Sequence, residues 1–440
     1  MGAIAKQQKQ YPLYNGRPPE NRGFDVRLFH PAFENFSRRY HGAEELAGNE
    51  GTVHKFMVCS ADYYDNEKAR QGVVTPLLET LLAHDIGDIR NHPDETSANG
   101  TVLFVQSGTQ VPTLLFKLKN EIGTGDADAT HEVGLLYRKF WSRKTVYHLS
   151  LFGPFDLPAH QDSQRRASCC PTFLLALMGS WLCVLGAVFT DKPIVQPLTP
   201  LLWLGHAHAR KPQYREVTRL FAALSMGISE LEAFYSDINF GVVSEARFFP
   251  YVTSFSTDTG SKVQFSYIEY ADPDPETSKA VFIASTQDKR KIVVKFAEAY
   301  NEEAHSLLAA KDLAPRLLSC DRSVSSNFVM VVMDYVDGEQ LFHKYPLETP
   351  HKILEEVLDA LGTLRKNDLV FGDLRSPNIL ITGQHHVQLV DFNWCGKAGE
   401  GKYPADINTV DIEWPNGVVP GGFLQFEHDK KMLWRLSYRA

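Results

Sequence analysis

The stretch FGDLRSPNILITGQHHVQLVDFN (371–393) brings two carboxylates and an amide together at spacings that suit phosphate chemistry. Asp373 is followed five residues later by Asn378, and an apolar run then delivers Asp391 and Phe392. Phosphoryl transfer from ATP needs this inventory: one carboxylate to orient the attacking hydroxyl, and an amide oxygen with a second carboxylate to hold magnesium. Arg375, two residues after Asp373, carries a rigid fork of donors that can bind two phosphate oxygens at once. Taken alone, an Asp–Asn pair is more often a turn closed by an Asx hydrogen bond. Here the pair and the second aspartate are joined by two strand-like runs, ILI and VQLV.

The order of these residues resembles that of protein kinases. Asp373 and Asn378 fit the catalytic loop HRDLKxxN, with Phe371-Gly372 in place of His-Arg, and Asp391-Phe392 fits the DFG turn, with Asn393 in place of glycine. The elements that such a site requires lie upstream in the matching order. KIVVKFA (291–297) reads as a β-branched strand whose Lys295 would contact the α- and β-phosphates. EEAHSLLAA opens a helix on which Glu303 can turn inward to pair with Lys295, Glu302 being the alternative one position round. FVMVVMDYV reads as the last strand before a hinge, with Met333 as gatekeeper and Asp334, Tyr335 and Val336 offering backbone groups to adenine. VLDALGTLRKND (357–368) is the amphipathic helix that should precede the loop. The resemblance implies ATP and Mg2+ as cofactors, Asp373, Arg375 and Lys295 as catalytic residues, and Asn378 and Asp391 as metal ligands.

Two parts of the pattern are missing. The segment that should cover the phosphates, YIEYADPDPETSKAVFIA (267–284), has no glycine and carries Asp272, Asp274 and Glu276. After Asp391 only 49 residues follow, without an Ala-Pro-Glu signature. Those residues include Tyr403-Pro404, Trp414-Pro415 and a His428-Asp429 pair opening an apolar final helix. With VVKF, LAPRLL, VFGDLRSPNIL and VDFNW they closely resemble the fungal-specific protein-kinase-like family, over roughly 260–436. That resemblance implies a two-lobed kinase fold with an abbreviated C-lobe.

The N-terminal half reads differently. Residues 1–25 are polar and bear Pro and Gly, as in a disordered arm. Lys6 stands where a myristoylation site wants Ser or Thr, and no apolar stretch follows Met1, so neither lipidation nor secretion is expected. PTFLLALMGSWLCVLGAVF (171–189) has no charge and is long enough to span a bilayer. Gly179-Ser180 divides it, however, into two short apolar runs, the pattern of a buried β-hairpin. Helices over 72–87, 128–141 and 215–235 and two strands within 101–121, separated by TQVP, complete an α/β sandwich.

In this half FKLKNEIGTGDAD (116–128) resembles PD-(D/E)xK nucleases, which use strand-end carboxylates to hold magnesium and a lysine to orient water. Lys119 and Glu121 fit the lysine and a following carboxylate, but Lys117 occupies an expected ligand position, leaving Asp126 and Asp128 to compensate. The bland account is a charged strand end and a Gly-bearing turn. A nuclease-like domain ahead of a kinase-like one also resembles the C-terminal cassettes of Crinkler-type effectors. Charge gives nucleic acid little support as a partner. Residues 1–240 carry 24 basic and 25 acidic side chains and 241–440 carry 21 and 28, with no basic excess in either half. Arg138-Lys139, Arg143-Lys144 and Arg165-Arg166 are more often solvated faces than a binding patch. His206 and His208 alternate without nearby carboxylates, and six cysteines without CxxC spacing point to a reducing, intracellular compartment, cytoplasm or nucleus.

The expected fold is therefore α+β in two domains: an N-terminal α/β sandwich over 26–240, restriction-endonuclease-like on one reading, and a protein-kinase-like bilobal fold over 241–440. Its N-lobe would span about 255–336 and its short C-lobe about 337–440. The expected function is an ATP- and Mg-dependent phosphotransferase acting on a hydroxyl of a protein or small molecule. The competing classes are a pseudokinase scaffold and a metal-dependent nuclease regulated by the kinase-like half.

Overall fold

The computed structural model describes residues 8–9, 12–43, 49–87, 99–106, 109–123, 128–142, 165–205, 210–257, 259–272, 279–383 and 385–437. Asp126, Arg143, Lys144, His206, His208, Asp274 and Glu276 lie outside them. The chain divides into two compact units, Met1–Val252 and Thr253–Ala440.

In the first unit, helices α1 (Pro31–His41), α2 (Glu50–Ala61) and α3 (Glu67–Leu82) precede strands β1 (Gly100–Gln106) and β2 (Thr109–Lys119). Helix α4 (Ala129–Ser142), strands β3 (Thr172–Met178), β4 (Trp181–Phe189), β5 (Pro193–Pro197) and β6 (Leu202–Trp203), and helix α5 (Arg210–Asp237) follow. The sheet runs β1-β2-β3-β4-β5, with β6 also pairing with β4. Among the described strands of this sheet β2 and β3 alone pair in parallel, with α4 lying in the connection between them. Every residue of β3 is buried, as a strand covered on both faces must be. The uncharged run is the expected hairpin: Gly179 turns it with φ +54°, in the left-handed region. Among the described residues no helix is long and apolar enough to cross a membrane.

Three expectations shift here. Helix α3 starts earlier than expected because Asn66 caps it, its side chain accepting from the Ala69 N–H at 3.0 Å, with Glu67 in the first turn. The TQVP stretch belongs to β2 rather than to a loop. Residues 12–25 are no free arm: Leu13 is fully buried, and Tyr14 exchanges backbone hydrogen bonds with Pro193 and Val195.

Arg70 of α3 is a fully buried guanidinium that gathers carbonyls from three elements. It donates to Ser60 in α2, to Asn120 just after β2 (2.9 Å) and to Gly179 in the β3–β4 turn. Truncation would leave these oxygens unpaired, at about 1–3 kcal/mol each. Arg70→Ala should therefore lower the first unit's unfolding free energy by roughly 3–5 kcal/mol in a denaturant titration, and Arg70→Lys should recover only part. A loss within ~0.5 kcal/mol would refute the staple.

The second unit opens with β7 (Ser254–Ser256), β8 (Lys262–Tyr270), β9 (Val281–Thr286), β10 (Lys291–Ala297), helix α6 (Glu302–Ala309), β11 (Leu317–Asp321) and β12 (Val329–Asp334). These strands form one sheet in the order β11-β12-β10-β9-β8-β7, every neighbouring pair antiparallel. Then come β13 (Gly338–Gln340), α7 (Leu341–Lys344), α8 (His351–Lys366), β14 (Leu369–Val370), β15 (Ile379–Thr382), β16 (His386–Leu389), β17 (Gly396–Lys397) and α9 (Phe426–Ser437). β15 and β16 pair antiparallel, so residues 371–378 and 390–395 emerge at the same end of that ladder. Helix α8 packs its apolar face on α6, α9, β14 and β16.

Candidate active site

Lys295 leaves the middle of the large sheet beside Val281 of β9 and Val331 of β12, and only 7% of it is exposed. Its ammonium lies 2.7 Å from Oδ1 of Asp391. Asp391 holds a left-handed backbone (φ +72°), uncommon for a residue with a β-carbon, just beyond β16. Burial pushes its carboxyl upward, but the Lys295 ammonium, with Lys279 and the Asn393 N–H, outweighs this and holds it below the usual carboxylate range. For Lys295 burial dominates and lowers the ammonium, with Asp391 opposing.

The loop after β14 carries the second cluster. Asp373 is buried, and its Oδ2 accepts from Asn378 Nδ2 at 2.8 Å. The same Asn378 nitrogen donates to the Asp373 carbonyl at 2.9 Å, leaving the amide oxygen as the atom suited to a hard cation. The Arg375 guanidinium grips both Asp373 oxygens in a fork, with Nη2–Oδ2 at 2.9 Å. Burial pulls the Arg375 guanidinium down, but Asp373 reverses this and leaves it raised. The cation also lies over the rings of Trp414 and Trp394, at 5.3 and 5.9 Å.

Two supports had no signal in short-range spacing. Asp429, in the first turn of α9, accepts the backbone N–H groups of Phe371 (2.7 Å) and Gly372 (2.8 Å), fixing the loop at its root. Gly372 has φ +82°, and a β-carbon there would lie 3.0 Å from Leu424 and 3.2 Å from the Trp394 carbonyl. Asn301 caps α6 through the Ala304 N–H, takes the Phe392 carbonyl with its own N–H, and donates from its side chain to the Cys395 carbonyl. The His428-Asp429 pair was the only sequence signal for the first support. Above these, the His305 ring stacks on Phe392 at 4.8 Å, and Phe371 meets Phe392 edge-on at 5.5 Å. His305 accepts from the Tyr300 hydroxyl at Nδ1 and donates to the Pro315 carbonyl from Nε2, a tautomer assigned from those partners. Burial lowers its pKa to about 4, so it stays neutral.

Glu303 does not meet Lys295. Ala304, His305 and Leu308 are the buried face of α6, which leaves Glu302 and Glu303 on the exposed face. They line an open cleft of about 580 Å³ with Arg322 and Asn393. The carboxylate partner of Lys295 is Asp391. At the hinge, Met333 is buried, Asp334 pairs with Arg290, and the Tyr335 N–H donates to the Lys291 carbonyl at 3.3 Å. Among the described residues no backbone hydrogen bond involves Val336.

In the first unit Lys119 and Glu121 do not form a common site. Lys119 pairs with Glu132 of α4 at 2.7 Å, and Lys117 meets the same carboxylate at 3.3 Å. Glu121 sits 4.0 Å from the Arg70 guanidinium instead. Asp128 is spent at the start of α4, on the His131 N–H and Thr130. Among the described residues no group of three His, Cys, Asp or Glu could hold a metal ion.

No family model matches the chain. Stretches of it are similar to serine/threonine kinases. It is 27% identical over 164 residues to serine/threonine-protein kinase Sgk2 of Homo sapiens, covering 35% of this chain and 43% of that protein. It is 31% identical over 111 residues to the Rattus norvegicus Sgk2, covering 23% and 29%. It is 28% identical over 115 residues to cAMP-dependent protein kinase type 3 of Saccharomyces cerevisiae, covering 25% and 27%. The chain spans less than half the length of these relatives. Part of it is thus kinase-like, which supports a phosphotransferase at the general level.

Burial pushes the Asp429 carboxyl up to about 6 despite its two N–H donors. Folded Asp429 keeps its proton to higher pH than the unfolded chain. Its contribution to stability is therefore complete below about pH 4 and lost as pH rises through about 6, on the order of 3 kcal/mol. His305 runs oppositely: its contribution is complete above about pH 6.5 and lost as pH falls through about 4. Asp429→Asn removes the first effect alone. Between pH 4 and 7 the wild type should lose stability relative to this variant in denaturant titrations. A constant difference across that window would mean that Asp429 does not titrate there.

Proposed function

We propose that the chain is an ATP- and Mg2+-dependent phosphotransferase of the protein-kinase-like superfamily, transferring the γ-phosphoryl group to a hydroxyl. The observation that carries this reading is the convergence, within one unit, of the buried Lys295–Asp391 pair and the Asp373–Arg375–Asn378 cluster. The donor set fits a hard cation and a polyphosphate: a carboxylate and an amide oxygen for the metal, and an ammonium and a guanidinium for phosphate oxygens. Bound magnesium would neutralise charge on the transferred group. Asn378 and Asp391 would hold it, and Lys295 would contact the α- and β-phosphates. Met333 and the backbone of Asp334, Tyr335 and Val336 would receive adenine. Asp373 would accept a hydrogen bond from the attacking hydroxyl and orient it, with Arg375 beside the transferred group. On this reading the lobes are about 255–336 and 337–440, an abbreviated arrangement like that of the fungal-specific protein-kinase-like family. The acceptor is a protein or small-molecule hydroxyl.

A pseudokinase scaffold is the second reading, favoured by the exposed Glu303 and by Asn393 in place of glycine. No comparable observation favours a metal-dependent nuclease, since Lys119 is engaged by Glu132 and sits apart from Glu121.

Thermal unfolding with and without Mg-ATP separates the first two. Nucleotide a hundredfold above its Kd should stabilise the wild type by about 2.7 kcal/mol, which is several degrees for a unit of this size. Asp391→Ala should abolish the shift. Asp373→Asn should keep it and lower phosphoryl transfer by roughly 10²–10⁴-fold. No shift at millimolar nucleotide would give the scaffold reading the lead.

A further inference from the structure

The turn between β8 and β9 has no glycine with which to bring backbone N–H groups to a phosphate. Its last residues before β9 are nevertheless tightly placed. The Ala280 carbonyl accepts from the Phe296 N–H at 2.8 Å, and the Val281 N–H donates to the Lys279 carbonyl at 2.9 Å. Val281 stands directly opposite Lys295 in the β9–β10 ladder, so the two side chains share one face of the sheet. Lys279 lies two residues before Val281, ahead of the strand, where the Val281 N–H bond to its carbonyl closes a tight turn. Its ammonium is 3.8 Å from Oδ2 of Asp391, while Lys295 holds Oδ1 at 2.7 Å. One carboxylate is thus bracketed by two lysines, one within β10 and one just ahead of β9.

The two lysines differ in exposure. Lys295 is buried, but the Lys279 side chain is 58% exposed. An exposed pair at 3.8 Å contributes little to folding. Both ammonium groups flank Asp391, and a polyphosphate whose metal ion engages that carboxylate would bring its oxygens within reach of each.

We propose that Lys279 is a second phosphate-contacting cation, delivered from the β8–β9 turn in place of a glycine-rich loop. This rests on the phosphotransferase reading of the same site. When the metal of Mg-ATP takes Asp391, both lysines exchange their carboxylate partner for phosphate oxygens, with no covalent step. The side chain supplies as a point charge what backbone amides would supply as dipoles.

Adenosine and Mg-ATP tell the two ideas apart, because adenosine has the base and sugar but no phosphate. Titration calorimetry on the full chain should show Lys279→Ala weakening Mg-ATP about tenfold with adenosine affinity unchanged. Lys279→Arg should restore Mg-ATP binding to within about threefold, and Lys279→Glu should weaken it well beyond the alanine variant. Unchanged thermal unfolding without nucleotide would show that each variant is folded. If the wild type binds Mg-ATP and Lys279→Ala binds it equally well, the role of Lys279 is refuted while the phosphotransferase reading stands. Equal loss of adenosine and Mg-ATP also refutes it, since the defect is then not specific to phosphate. If the wild type binds neither ligand, the phosphotransferase reading fails and this inference fails with it.

Discussion

A carboxylate placed where Asp391 stands must be neutralised, and Lys295 neutralises it. Only 17% of the Asp391 side chain is exposed, and its backbone is held in a conformation that few non-glycine residues adopt. Removing either partner would strand a charge in a poor solvent, a loss of several kcal/mol. The pair therefore ties β10 to the segment leaving β16, and the sheet to the loop that carries the chemistry. It is also replaceable in a way that an apolar contact is not. A divalent cation can take the carboxylate and a phosphate can take the ammonium, so the interaction that closes the site without ligands is the one that ligands would use.

Neither Asp373 nor Asp391 belongs to a helix or strand, so their backbones need other partners. Asp429 collects two N–H groups at the root of the Asp373 loop, and Asn301 takes the Phe392 and Cys395 carbonyls beside Asp391. The first unit solves the same problem with the opposite charge, where Arg70 gathers carbonyls from Ser60, Asn120 and Gly179. In each unit a buried polar side chain gathers backbone groups from separate segments, since those groups need partners out of water. The His305 ring stacked on Phe392, with Phe371 edge-on to it, then fixes α6 against both loops by shape, with a neutral imidazole serving as a flat, hydrogen-bonded core residue.

The sequence exposes what is local and hides what is not. The proximity of Asp373, Asn378 and Asp391 could be read because they lie on one loop and at one end of a single strand pair. Lys295 could be read because, of the two lysines in KIVVKFA, it alone sits inside the apolar run, Lys291 standing at the exposed strand end. Glu303 misled because the phase of an eight-residue helix is set by its cap: with Asn301 at that position, the buried face is Ala304, His305 and Leu308. Glu132 was hidden for a related reason, since its reach to Lys119 depends on where α4 starts after Asp128. Asp429 acts from 58 residues beyond Phe371, and no spacing rule spans that distance. The β-hairpin over 171–189 was legible because Gly179 marks the one point where an uncharged run can reverse.

The grip of Arg375 on Asp373 sets the kind of chemistry this loop can support. Arg375 and Asn378 together engage both carboxylate oxygens, which fixes the orientation of the group. Each oxygen of an ionised carboxylate has two acceptor directions. Oδ2 is doubly occupied, and Oδ1 receives only the Arg375 Nε–H, so Oδ1 is the atom that retains capacity for an incoming hydroxyl. On the proposed phosphotransferase reading, a carboxylate restrained in this way would align a nucleophile rather than remove its proton early, as a loose transition state would require. The Trp394 and Trp414 rings hold the guanidinium from its other side. Its charge therefore stays at the loop whether or not its fork later turns toward a phosphate, and the aromatic pair makes Arg375 a fixed part of the site.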